Sequence, residues 1–195
     1  YNPRYIAQFK KFDLVLSYDF NDVKKYGFLY HPTIYSRIEV PSNPLVEECD
    51  VYFLGAAKDR LEELFYYYDY FTSKGKKCNF LISNVRNEYK KELEGIKYIE
   101  SISYLENLQN IVRSRSILDL VQKSSSGFTL RTWEAIYYNK VLFSNNPSVN
   151  LIQQDSIGAY VLNDTIDIDS AFARISELIS TESVIRERLH PKKRS

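Results

Sequence analysis

Short apolar runs alternate along the chain with longer segments in which apolar residues recur every three or four positions. The runs predict strands over Phe12–Ser17, Asp50–Leu54, Cys78–Ser83, Lys97–Ile99, Ser116–Val121, Lys140–Ser144 and Ala159–Leu162. The periodic segments predict helices over Asp59–Phe71, Tyr104–Val112, Phe128–Tyr138 and Ile168–Ile179. Within Asp59–Phe71, Leu61, Leu64, Phe65 and Tyr68 fall on one face. A shorter helix is expected at Asn21–Tyr26, a short helix or a turn at Leu151–Gln154, and a polar helix at Arg86–Glu94, with Gly27, Gly75 and Gly95 as stops. Phe28–Tyr35 reads as extended, with Pro32 confining it to an edge or a linker. Strands alternating with helices imply an α/β fold: a doubly wound, mostly parallel sheet with helices on both faces. Sheets of this kind bind ligands beyond the carboxyl ends of their strands. That directs attention to 55–60, 83–84, 121–131 and 145–146.

Composition narrows the class. The 195 residues are 44% hydrophobic and 26% charged, a globular balance that excludes disordered, collagenous and disulfide-scaffold chains. Pro41, Ser42, Asn43 and Pro44 form the clearest boundary signal. It divides a βαβ remnant and linker (1–44) from an α/β domain (45–189) and a basic tail (190–195). The chain begins at Tyr1 and contains no Met, which reads either as a processed chain or as a piece of something longer. A formal net charge of +1 gives no field suited to nucleic acid. Lys192, Lys193 and Arg194 read either as a solvated tail or as a contact with an anionic membrane surface. Cys49 and Cys78 are far apart and form no CxxC, and His31 and His190 are the only histidines, so neither a metal centre nor a His-based triad is expected. No run of about 18 apolar residues is present to span a membrane.

Two segments can carry chemistry. Gly55, followed by Ala56 and Ala57, leads from a strand towards a helix, where backbone can approach a phosphate and Lys58 and Arg60 add charge. One glycine is not a dinucleotide fingerprint. The alternative is a plain turn with Asp59 as N-cap. Ser83, at the next strand end, either contacts a base or makes a turn. The second segment runs from Ser124 to Ala135. Gly127 relieves the turn, the backbone of Phe128, Thr129 and Leu130 opens a helix, and Arg131 and Glu134 share a face. Arg131 can meet a diphosphate with a bidentate fork, and Glu134 can accept from ribose hydroxyls. The alternative is an exposed ion pair beside core residues. Asp19 and Asp22 read as an N-cap and a first-turn acid.

The run Ser126, Gly127, Phe128, Thr129, Leu130, Arg131, Thr132, Trp133, Glu134, Ala135, followed by Lys140–Phe143 and by Asn145 and Asn146, resembles the donor-binding motif of GT-B glycosyltransferases. It looks most like those of bacterial capsule and lipopolysaccharide synthesis. Phe12, Asp13, Ser17, Tyr18, Asp19, Asp22, Tyr26 and Tyr35 are similar to the end of the N-terminal domain in that group. The resemblance implies a Rossmann-like nucleotide-sugar-binding domain over 45–189. It implies a nucleotide diphosphate sugar as donor substrate with no further cofactor, and a glycan or lipid-linked acceptor. It also implies a missing N-terminal domain that holds the acceptor base, and a place in the cytoplasm at the inner face of the membrane. Gly55, Lys58, Arg60, Ser83, Gly127, Phe128, Thr129, Leu130, Arg131 and Glu134 would bind the donor, and the isolated chain would turn over nothing. Ser126 departs from the glutamate that opens the motif in retaining members. The competing expectation is a non-enzymatic α/β module that uses the same strand-end cleft for a small ligand or a protein.

Overall fold

Val51, Tyr52 and Phe53 are consecutive and all buried, as in a central strand covered on both faces. In the computed structural model, which describes residues 7–9, 11–35, 38–40, 48–122, 125–152, 158–162 and 167–173, they lie in β3 (Cys49–Ala56). With β4 (Cys78–Ser83), β5 (Ile96–Ile99), β6 (Ser114–Asp119), β7 (Val141–Ser144) and β8 (Ala159–Val161) it forms a six-stranded sheet. Every pairing in that sheet is parallel. The order is β5-β4-β3-β6-β7-β8. The chain therefore builds outward from β3 in one direction, crosses back, and builds outward from β6 in the other. This is the Rossmann-like, doubly wound arrangement, with its switch point between β3 and β6.

The alternation of side chains along β3 feeds two cores. Val51 and Phe53 join Leu64, Phe65, Tyr68 and Phe71 of helix α2 (Leu61–Ser73) and residues Ile168, Ala171 and Phe172. Tyr52 faces the other way, with Leu108 and Ile111 of α3 (Tyr104–Val112) and Ala135 of α4 (Leu130–Tyr137). A separate two-stranded parallel sheet, β1 (Leu16–Ser17) with β2 (Leu29–Tyr30), is joined by α1 (Phe20–Tyr26). Asp19 caps α1 through the N–H groups of Asn21 and Asp22, and Gly27 ends it at φ 72°.

Several boundaries differ from the expected ones, for physical reasons. Phe12–Ser17 is strand only at its last two residues, because its sole described sheet partner is the two-residue β2. Arg86–Glu94 is not a helix but a single 3-10 turn at Asn87–Tyr89. It has no apolar stripe to bury, and residues 86–92 are exposed. Its backbone is held instead by Tyr98, whose hydroxyl accepts from Lys91 N and donates to Lys91 O. β3 continues through Gly55 and Ala56, and α2 starts at Leu61 without a side-chain cap from Asp59 or Arg60. The expected boundary at 41–44, residues 153–154 of the short helix, the helix beyond 173 and the tail 190–195 lie outside the described residues.

Candidate functional site

The crevice at the carboxyl ends of β3 and β6 is built by three turns. After β3 the chain passes through Lys58, which takes a left-handed φ of 46°, to Arg60. The Arg60 side chain folds back. Its Nε and Nη2 donate to Ala56 O at 3.3 and 3.2 Å, Nη1 donates to Leu120 O, and the guanidinium lies 5.8 Å from the Phe53 ring centroid. Partial burial lowers its pKa, against the opposing pull of Asp119. The end of β6 supplies Asp119, whose carboxylate accepts Thr129 Oγ1 at 2.7 Å. Burial pushes the Asp119 carboxyl up, while the Thr129 hydrogen bond and then Arg131 and Arg60 pull it down.

The third turn precedes α4. Thr129 is the N-cap: its hydroxyl accepts from Thr132 N at 3.3 Å while donating to Asp119, so one oxygen ties the helix start to the sheet. Gly127, at φ 93°, packs directly on the carbonyl of Tyr18. Asn146 Nδ2 holds the Gly127 carbonyl at 2.7 Å. Ser126 is bound to the N-terminal segment. Its N and Oγ each donate to Asp19 at 2.9 Å, and its Oγ accepts from Asn21 N at 2.9 Å. On α4, Arg131 Nη2 donates to Leu54 O at 3.3 Å and Nη1 pairs with Glu134. Glu134 is wholly buried and also accepts Asn107 Nδ2 at 3.1 Å.

These turns enclose a cleft of about 230 Å³ whose polar lining includes Tyr18, Lys58, Arg60, Asp119, Thr129 and Arg131. Of the residues singled out from the sequence, Lys58, Arg60, Gly127, Thr129 and Arg131 line it together. The others do not. Gly55 sits inside β3, where a Cβ would press on Phe53 and Arg60. Ser83 ends β4 away from the cleft, its carbonyl taken by Ala57 N. The Phe128 ring packs edge-on against Phe20 and Trp133. Leu130 is exposed, and Glu134 lies beneath Arg131. Asp119 was not among the expected residues. Its signal was an acid within an apolar stretch, Ile117–Val121, where burial of a carboxylate needs a reason.

Because the folded-state pKa of Asp119 lies above its unfolded value, its contribution to stability is fully present below about pH 3.9 and is lost as pH rises through the folded value. Asp119→Asn keeps an acceptor for Thr129 and removes that dependence. Thermal melts from pH 4 to 8 should show the variant gaining on the wild type as pH rises. A loss that is the same at every pH would contradict this.

The strand order and the crevice define the class: a Rossmann-like α/β domain with a cleft at its switch point. Neither a protein-family model nor any curated protein matches the chain. Among solved structures, a chain of the one titled "Crystal structure of GtfA/B complex" is similar, with a TM-score of 0.43 and 11% identity over 93% of this chain. This chain spans 41% of that one. Among the described residues, no helix is long and apolar enough to cross a membrane.

Proposed function

We propose that this domain binds the diphosphate of a nucleotide-sugar donor and forms the donor-binding part of a glycosyltransferase acting on a cell-surface glycan or lipid-linked acceptor. The observation that carries the reading is the convergence of Arg60, Arg131 and the N-terminus of α4 on the switch-point cleft. Two guanidinium groups and a helix N-terminus suit a diphosphate leaving group, whose developing charge is what such a transfer must stabilise. Burial favours the neutral form of Asp119, which lessens its repulsion of an anion there. A cleft of about 230 Å³ is smaller than the roughly 300–1,000 Å³ of whole-ligand pockets. It suits a diphosphate with base and sugar lying across its rim.

The sequence resemblance to GT-B enzymes over Ser126–Ala135 supports the same reading. So does the β1–β2 pair. Two parallel strands make a marginal sheet, and Phe12, Leu14, Leu16, Leu29 and Ile34 around them are exposed. Such a surface suits coverage by a further α/β domain of the same enzyme.

Thermal melts with UDP, GDP and CMP test the reading. A nucleotide at 100 times its Kd should add about 2.7 kcal/mol, and Arg131→Lys, which keeps the charge but loses the fork, should remove most of that gain. A melting temperature unmoved by all three nucleotides would defeat it.

A further inference from the structure

Three side chains behind the cleft make no contact with its open space, yet they end on one of its cations. Tyr52, in β3, donates its hydroxyl to Asn107 Oδ1 at 3.2 Å. Asn107, on α3, donates Nδ2 to Glu134 Oε1 at 3.1 Å. Glu134 Oε2 receives Nη1 of Arg131. Tyr52 and Glu134 have no exposed surface, and Asn107 keeps 2%. The relay crosses the core on the α3–α4 side and stops at the guanidinium lining the cleft. On the far side of that guanidinium, Nη2 holds Leu54 O. Two anchoring points leave the rest of the five-donor fork for a ligand.

A carboxylate with no exposed surface cannot offer its lone pairs to a molecule in the cleft without leaving Asn107 and Arg131. We infer that Glu134 is a positioning residue: with Asn107 and Tyr52 it orients Arg131 for a diphosphate, and it does not touch the nucleotide's ribose. The inference rests on the nucleotide reading above and reverses the role that the motif resemblance implies for Glu134.

Calorimetric titration of the 195-residue chain with UDP, with GDP and with inorganic pyrophosphate separates the two roles, because pyrophosphate has the diphosphate and no ribose. Glu134→Gln keeps the volume and the acceptor for Asn107 and removes the charge. It should weaken nucleotide and pyrophosphate by the same factor, about tenfold. Replacing a buried charged group can impair folding, so Tyr52→Phe is the second variant. It deletes one hydroxyl at the far end of the relay and should weaken both ligand types equally, by about threefold. Loss of nucleotide affinity with pyrophosphate affinity intact in Glu134→Gln would put the carboxylate on the ribose and overturn the inference. So would wild-type affinities in Tyr52→Phe. Either result leaves the nucleotide reading standing. A wild-type chain that binds none of the three ligands defeats that reading, and the positioning role with it.

Discussion

Arg131→Ala is expected to cost about 3–5 kcal/mol of folding stability, the usual penalty for removing one partner of a buried ion pair. The side chain of Glu134 has no exposed surface and that of Arg131 keeps 19%. Without the guanidinium, the buried carboxylate loses its charged partner and keeps hydrogen bonds from neutral groups, the amide of Asn107 among them. The link from α4 to Leu54 O is lost as well. In a domain of this size each kcal/mol shifts the melting temperature by roughly 2–4 °C, so the variant should melt about 10 °C lower. Urea unfolding gives the free energy directly. An exposed i,i+3 pair, the other meaning of the same spacing, would cost about 1 kcal/mol or less. A result in that range would contradict the burial of Glu134. The control is Arg86, paired with Glu88 on an exposed turn, where Arg86→Ala should be close to neutral.

The contrast between those two pairs marks what local sequence conveys. Arg131 and Glu134 were legible as neighbours on one helix face because helical spacing is local. Whether that face met water or Asn107 depended on α3, which packs there only after the chain has crossed back to place β6 beside β3. The same division holds for the fold. Cys78–Ser83 and Tyr104–Val112 lie where they were expected, because an unbroken apolar run and an apolar stripe each decide one element by themselves. Parallel pairing followed from the alternation of elements. The order β5-β4-β3-β6-β7-β8 did not, since local periodicity contains no record of which strands become neighbours. That order is what makes Asp119 part of the cleft. Arg86–Glu94 failed because polarity alone cannot distinguish an exposed helix from an exposed turn.

Asp19 joins the N-terminal βαβ unit to the cleft. It was legible as an N-cap, and it is one. Its carboxylate also receives Ser126 N and Oγ, residues more than a hundred positions later, and it is only 8% exposed. Thr33 adds a second tie by donating its hydroxyl to Phe128 O at 2.9 Å. The loop that opens α4 is therefore held from both sides, by Asn146 in the turn after β7 and by Asp19 and Thr33 from the preceding unit. This gives the small unit a part in shaping the cleft, through Tyr18, which lines it.

Gly127→Ala should break that attachment at a cost of at least about 3 kcal/mol. A side chain at φ 93° already suffers strain of about 1–3 kcal/mol. The added Cβ would also overlap the Tyr18 carbonyl, which is backbone and cannot swing aside as a side chain can. The two segments must separate, and the bonds from Ser126 to the charged Asp19 lengthen or break, each worth about 1.5–3 kcal/mol. Hydrogen exchange should show faster amide exchange at Asn21 and Ser126, with β3 and β4 unchanged. Gly27 isolates the conformational part of the effect, since it has a similar left-handed φ of 72° and its Cβ would meet nothing within 4 Å. Gly27→Ala should cost only about 1–2 kcal/mol and leave the exchange of Ser126 untouched. Equal costs for the two variants would mean that the contact with Tyr18 does not hold the loop, and that the N-terminal unit can leave the cleft freely.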